Sequence, residues 1–406
     1  MPEPSAAERT TLRLADRLVA GRLPRRDWHD AAAVALAVGV AGAWLSVVLL
    51  GVATLVWAHP IWWLVGWAFL AGAVMLRPRP LRIEAALDLD GARAAVRSPA
   101  VDAALAGLAA QVGARPPDAV FVTTEPDVSL VRDSLGRRGV LLVGMPLWGL
   151  LDDGARRAAL AHELSHEAFR DPRRVGPVSL AGRWLAQWST QVGAGVEGNT
   201  IGRPADEQVF LEPLAARTIT NVGLHGPTVT RYASNVVNAG LGGVIRRMAR
   251  LLEKATFVPH QRAELLADAA AVRVAGSNAV LRMLDAVPLQ HRAGLSARTA
   301  LLRTDGVDLR HTVTEHLAAL PDHQREGMAV QVATQEVRTD QAHPPVRVRR
   351  DLVHRLDQRP AALVDATTWR AAYDDLDAAF APLERDLRTL ARRPAARSSR
   401  SRRSRR

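Results

Sequence analysis

From Ala31 to Leu76 the chain carries no Asp, Glu, Lys or Arg. Such a stretch either becomes the core of a large fold or enters a membrane, and its punctuation favours the membrane. The first run, Ala31 to Ala58, exceeds the ~20 residues needed to cross a hydrocarbon core. His59-Pro60 breaks it, and a second, shorter run extends from Ile61 to Leu76 with Trp62, Trp63 and Trp67 near its start. Tryptophans beside a turn fit an interfacial aromatic belt. Arginines flank both outer ends, and Arg77, Arg79 and Arg82 follow at once, while the turn carries none. The expected element is a two-helix transmembrane hairpin over 31–76 (31–58 and 61–76), with both termini cytoplasmic. A cleaved signal peptide fits poorly, because the first run is too long and a second follows. Arg25-Arg26 resembles a twin-arginine signal only weakly, since Asp27 and Asp30 come directly after it. Residues 1–30, with arginines at 9, 13, 17, 22, 25 and 26 among leucines, read as a basic cytoplasmic leader. It is either a frayed polar segment or an amphipathic helix whose arginines meet anionic headgroups.

The second strong feature is Ala158-Ala159-Leu160-Ala161-His162-Glu163-Leu164-Ser165-His166. Ala, Leu and Glu form helices well, and Asp152 and Asp153 stand upstream as cap candidates. Residues four apart share a helix face, so His162 and His166 can aim at one ion. Glu163 stands beside them as a base for water. Two neutral imidazoles and one carboxylate suit Zn2+ and leave a coordination position open. The bland alternative is a surface helix with two satisfied histidines.

Composition narrows the chemistry. There is no cysteine, so any metal must be held by His, Asp or Glu. The net charge of +12 suggests nucleic acid, yet six arginines lie in the last ten residues and the chain has a single lysine, Lys254. That skew looks like a genome-wide composition bias, and no nucleic-acid partner is expected for the folded part.

Beyond Pro78 and Pro80, residues 84–112 read as an amphipathic helix, with Leu87, Val96, Val101, Leu105 and Leu108 apolar. Ala119–Thr124 and Gly139–Gly144 read as strands, adjacent or in a hairpin, with 133–138 as the turn into the second. A strand directly before the His-Glu helix offers an edge for a substrate backbone. Residues 172–260 carry weaker signals. Gly193–Gly202 is flexible in composition, and the apolar run from Val236 is cut short by Arg246, Arg247 and Arg250. Amphipathic helices that cover the site or rest on the bilayer are expected there.

A catalytic zinc needs a third ligand, and Glu197, Glu207, Glu212, Glu253 and Glu264 are candidates. Glu264 has the best setting, because Asp268 lies four residues on, one turn along the same helical face. A carboxylate there can accept the far N–H of a ligating imidazole.

Several features together resemble the HtpX-type and CAAX-prenyl-protease-like membrane zinc endopeptidases. They are the apolar pair, the two strands, Leu150-Leu151-Asp152-Asp153-Gly154 leading into His162-Glu163-Leu164-Ser165-His166, then Asp171, and Glu264-Leu265-Leu266-Ala267-Asp268. His343-Pro344-Pro345 with Arg349 is similar to a downstream His-Pro…Arg motif of that family. The resemblance spans roughly residues 30–355. It implies a gluzincin with zinc held by His162, His166 and Glu264, Glu163 as general base, and Asp268 behind His162. It also implies that His343 and Arg349 lie near the substrate and stabilise an oxyanion. This sequence departs from the pattern in three ways. It shows no clear further pair of membrane helices after the zinc helix. It has Glu167 directly after His166. Val128-Ser129-Leu130 stands where the family carries Asn-Ala.

Residues 356–391 read as helical, with Trp369, Tyr373, Leu376, Phe380, Leu383 and Leu387 in a stripe that Pro382 kinks or splits. The Arg/Ser end, 392–406, reads as disordered. The expected fold is therefore α+β and mostly helical. A zincin-like metallopeptidase domain with a small β-sheet, 84–355, follows the transmembrane hairpin. The expected activity is zinc-dependent hydrolysis of peptide bonds in membrane or membrane-proximal polypeptides at the cytoplasmic face. The alternatives are a catalytically inactive membrane-tethered scaffold and a basic peripheral protein gathered at anionic lipid by its tails.

Overall fold

The computed structural model describes residues 5–24, 26–77, 93–133, 138–171, 176–191, 228–303, 309–334, 343–360 and 366–392. Glu197, Glu207, Glu212, the Gly193–Gly202 stretch and the tail beyond Arg392 lie outside them.

The chain opens with helix α1 (Ala6–Val19), capped by the Ser5 side chain on Glu8 N–H. This helix does not lie free as a leader. Leu14 and Ala15 are buried in one cluster with Leu265 and Leu352, and the Thr11 hydroxyl meets Gln261 Oε1 at 3.1 Å. Part of its apolar stripe thus packs on protein, while Val19 at its end stays exposed.

Helix α2 (Trp28–Trp57) starts at a capping box, in which Asp27 accepts from His29 N–H and Asp30 accepts from Asp27 N–H. At 1.5 Å per residue its 30 residues run about 45 Å. After a 3-10 turn at Pro60–Trp62 comes α3 (Trp63–Met75). The two helices pack antiparallel. Trp44 Nε1 donates to Ala73 O at 3.0 Å, and Gly51 faces Gly66, where an added Cβ would stand 3.1 Å from the opposite carbonyl. Glycine is needed at this crossing because the backbones touch. Two full crossings, however, are not supported. Among the described residues only α2 is long and apolar enough to span a membrane. The 13 residues of α3 cover about 20 Å, short of a ~30 Å core.

The sheet has four strands: β1 (Arg93–Val96), β2 (Ala119–Thr123), β3 (Val128–Arg132) and β4 (Gly139–Gly144), in the order β1-β2-β4-β3. β2 and β4 are parallel neighbours, and the two outer strands pair antiparallel. Two expectations change here. Part of the stretch read as one helix is strand β1, and helix α4 (Pro99–Val112) begins only after the Ser98 cap. The strand preceding the His-Glu helix, β4, is interior to the sheet, so the edge beside that helix belongs to β3.

A short turn of helix, α5 (Met145–Trp148), leads into α6 (Asp153–Ala168), whose N–H groups are capped by Asp152 on Ala155. Then come α7 (Pro177–Gln191), the long α8 (Thr228–Ala275), α9 (Ser277–Arg303), α10 (Leu309–Ala318), α11 (Asp322–Thr334), α12 (Val346–Leu356) and α13 (Ala366–Arg392). Helix α13 is continuous through Pro382. Trp369, Tyr373, Leu376, Phe380 and Leu383 are buried in the main core with Leu105, Leu141, Leu160 and Leu284. It also fixes the start of α6. Tyr373 O–H donates to Asp153 O, and buried Arg156 stacks on Trp148 and bonds Asp377.

A second core joins α2, α7 and α8 through Ala33, Ala37, Val40, Val178, Leu185, Ile245, Ala249 and Leu252. Arg262 on α8 reaches back to Asp30 at 2.6 and 2.7 Å, so α8 runs antiparallel to α2 and is tied to its first turn.

Candidate metal centre

Helix α6 carries His162, Glu163 and His166, and α8 carries His260, Glu264 and Asp268; all six are buried. Both helices present these residues at i, i+4 spacing, so the two faces meet across the contact. His162 Nε2 and His166 Nε2 stand 3.2 Å apart. Glu264 Oε1 lies 3.4 Å from His166 Nε2, and Glu264 Oε2 lies 3.6 Å from His162 Nε2. These three residues form one group able to hold a metal ion. Asp171, His260 and Glu264 form another.

The outward nitrogens of both α6 histidines meet carboxylates. His162 Nδ1 is 3.0 Å from Asp268 Oδ1, and His166 Nδ1 is 3.2 Å from Asp171 Oδ2. When both rings are neutral, as ligation requires, with their protons on Nδ1, both Nε2 atoms turn lone pairs toward each other and toward Glu264. Glu264 Oε1 is buried and has no hydrogen-bond donor. Acceptors converging in a dry site repel unless a cation or protons lie between them. Ligand atoms of a tetrahedral ion at ~2.0–2.1 Å stand about 3.3 Å apart, close to the three separations seen. The residues therefore fit a zinc-like ion, although a His/Glu set does not by itself select the metal.

Without an ion, protons on the imidazoles compensate the buried carboxylates instead. Burial alone would push His162 down, but its bonds to Asp268 and Glu264 hold its pKa up at about 9. Burial opposes the charge on Glu264 too, yet neighbouring His343 and His166 keep it well below the usual carboxylate range. Burial likewise works against Asp171, and His260 and His166 more than compensate. The Arg349 guanidinium outweighs burial at Asp268 and holds it at about 2.

Arg349 is placed differently from the expectation. It does not line the open side of the site. It is buried on α12, with Nε 2.8 Å from Asp268 Oδ2 and Nη2 2.6 Å from Asp268 Oδ1. From there it fixes the carboxylate that fixes His162, which is a positioning task. His343 does stand beside the ligands. Its Nδ1 is 2.7 Å from Glu264 Oε2, and with 34% of its side chain exposed, against none for Glu264, it marks the accessible side.

Glu163 Oε2 accepts from Leu130 N–H at 3.3 Å. Leu130 is central in β3, whose register pairs it with Leu141. Its N–H points away from β4, so the side of β3 that has no strand partner among the described residues runs past the general-base candidate. Glu167, next to His166, faces elsewhere and pairs with Arg115 and Arg132, which pins β3 to α6.

Sequence reasoning missed His260. Its Nδ1 sits 3.1 Å from both Asp171 oxygens, and its Nε2 is 3.9 Å from Glu264 Oε1. The available signal was its spacing, four residues before Glu264 on one helical face.

No family model matches the chain, and neither curated proteins nor solved structures give a match.

Proposed function

We propose that this protein is a membrane-anchored zinc-dependent endopeptidase acting on membrane or membrane-proximal polypeptides at the cytoplasmic face. The reading is carried by the convergence of His162, His166 and Glu264 on one buried point, with Glu163 beside it and the β3 edge alongside. His162, His166 and Glu264 would hold zinc, and the ion would supply a Lewis acid to acidify water and polarise a carbonyl. Glu163 takes the proton of the attacking water and delivers it to the leaving amine. A substrate strand added to β3 gains backbone bonds and takes over the Leu130 N–H. His343, on the accessible side, donates to the developing oxyanion. Asp268 and Asp171 hold the ligand imidazoles in the correct tautomer, and Arg349 holds Asp268.

The anchor is α2, with α3 packed against it in the apolar layer. The arginines before Trp28 and after Leu76 favour the cytoplasmic side for both outer ends, with α3 folded back along α2 without a full crossing of its own. Arg262, two residues before Glu264 on α8, is bonded to Asp30 at the start of α2, so the site stands close above the apolar part of the anchor.

Cleavage of an unstructured peptide by the detergent-purified chain tests this directly. Wild type should cleave, and Glu163→Gln should lose turnover while keeping its metal. Equal cleavage by both proteins would refute the role of Glu163. A metal-loaded wild type that cleaves nothing would leave the inactive scaffold as the better reading.

A further inference from the structure

The exposed side of α8 changes character along its length. Leu241 and Val244 are exposed and apolar, whereas Arg247, Arg250 and Lys254 form a cationic stripe about one turn apart. With Leu251 these three line an open groove of about 310 Å³. Among the described residues no carboxylate pairs with any of the three cations.

Their depth is fixed by two independent sets of contacts. Counting eight residues back along α8 from Arg262, and eight on along α2 from its partner Asp30, sets Lys254 roughly level with Val38. Arg250 falls near Gly42 in the same way. On the other flank of α2, Trp44 bonds Ala73 and Gly51 meets Gly66, which sets Leu76 and Arg77 near Val40. The Leu76 carbonyl accepts from Trp188 Nε1 at 2.6 Å, tying that level to α7. On the same count Arg247 falls near Leu45, so the cationic stripe spans about 10 Å along α2, with Arg77 level with its middle. Beyond it, toward Trp57, the exposed large side chains are Leu49, Leu50, Val52 and Val56. From Val40 to Trp57 is about 26 Å of helix, close to a hydrocarbon thickness.

We propose that the groove of Arg247, Arg250, Leu251 and Lys254 binds the phosphate headgroup of an anionic phospholipid in the cytoplasmic leaflet. Leu251 contacts the top of an acyl chain, and the cations meet the phosphate. The proposal rests on the membrane placement of α2. Charge and depth favour lipid, since a solvated basic face needs neither the apolar floor nor a position straddling the level of Arg77. Bound lipid would hold α8, and with it Glu264, at a set height above the bilayer.

The test uses the full-length chain in phosphatidylcholine vesicles with and without phosphatidylglycerol. Flotation reports insertion, and native mass spectrometry after re-extraction counts retained lipid. Wild type should float and keep phosphatidylglycerol over phosphatidylcholine by roughly tenfold or more, given about fivefold per cation. Arg247→Gln/Arg250→Gln/Lys254→Gln should float equally and lose that preference. Arg247→Lys/Arg250→Lys/Lys254→Arg should retain it, which guards against a folding defect in the first variant. An unchanged preference in the Gln variant would overturn the groove assignment. Displacement of the lipid by millimolar inorganic phosphate would assign the groove to free phosphate instead. A wild type that fails to float would overturn the membrane placement first and the groove with it.

Discussion

Removal of Arg349 separates two roles for that residue. Its guanidinium makes two hydrogen bonds, 2.8 and 2.6 Å, to Asp268, and both groups are buried. Breaking a buried pair by deleting one partner costs about 3–5 kcal/mol, because the remaining charge is left without compensation. In Arg349→Met the burial that already opposes the Asp268 charge would dominate, and its pKa would climb from about 2. A protonated Asp268 would accept poorly from His162 Nδ1, 3.0 Å away. Loss of such an outer partner typically lowers metal affinity about 10–100-fold. Competition with a chelator of known affinity measures the zinc term, and thermal unfolding in detergent measures the other. The expected drop in Tm is on the order of 10 °C, at roughly 2–4 °C per kcal/mol. Arg349→Lys should fall between, since it keeps the charge and loses the fork. If Arg349→Met bound zinc like wild type and lost only kcat, the residue would face the substrate after all and the positioning account would be wrong.

Three further outcomes follow from the geometry. His162, with its pKa raised to about 9, is protonated at pH 7 in the metal-free chain, and ligation needs it neutral. Zinc binding should therefore release a proton, and affinity should rise about tenfold per pH unit up to roughly pH 9; calorimetry in buffers of different ionisation enthalpy counts that proton. His260→Ala removes one of the two imidazoles on Asp171 and should weaken zinc about tenfold by loosening His166; unaltered affinity in chelator competition would mean that His166 holds its orientation alone. Gly66→Val places a Cβ within 2.8 Å of Leu55 Cγ and should cost about 1–3 kcal/mol in the α2–α3 contact. It should lower Tm in detergent and leave the zinc content unchanged.

Much of the centre was legible because its signals are local. His162, His166, Glu264 and Asp268 announce themselves by four-residue spacing on strong helix formers, and the structure brings them together. The inner strands β2 and β4 are long apolar runs and could be read. The outer strands could not. β1 is four residues of Arg, Ala and Val with no alternation, inside a helix-favouring stretch, and β3 is buried throughout although its sequence mixes Ser and Arg with valines. Those strands exist because β2 and β4 offer them partners, which is a tertiary cause. His260, and the role of Arg349, were hidden for a related reason. Their roles depend on α12 and on the Asp171 turn arriving at the same place, 81 and 89 residues away in sequence. The leader misled in the opposite direction, because an amphipathic stripe does not say whether it meets lipid or, as α1 does, Leu265 and Leu352.

The central claim is a single ion held by two imidazoles and one carboxylate at the α6–α8 contact. X-ray absorption at the zinc edge, on the full-length chain, tests it most directly. The account predicts one zinc per chain, four-coordinate, with two histidine rings and oxygen at about 2.0–2.1 Å. A chain that takes up no zinc, or one whose zinc sits in a six-oxygen shell without imidazole scattering, would contradict it.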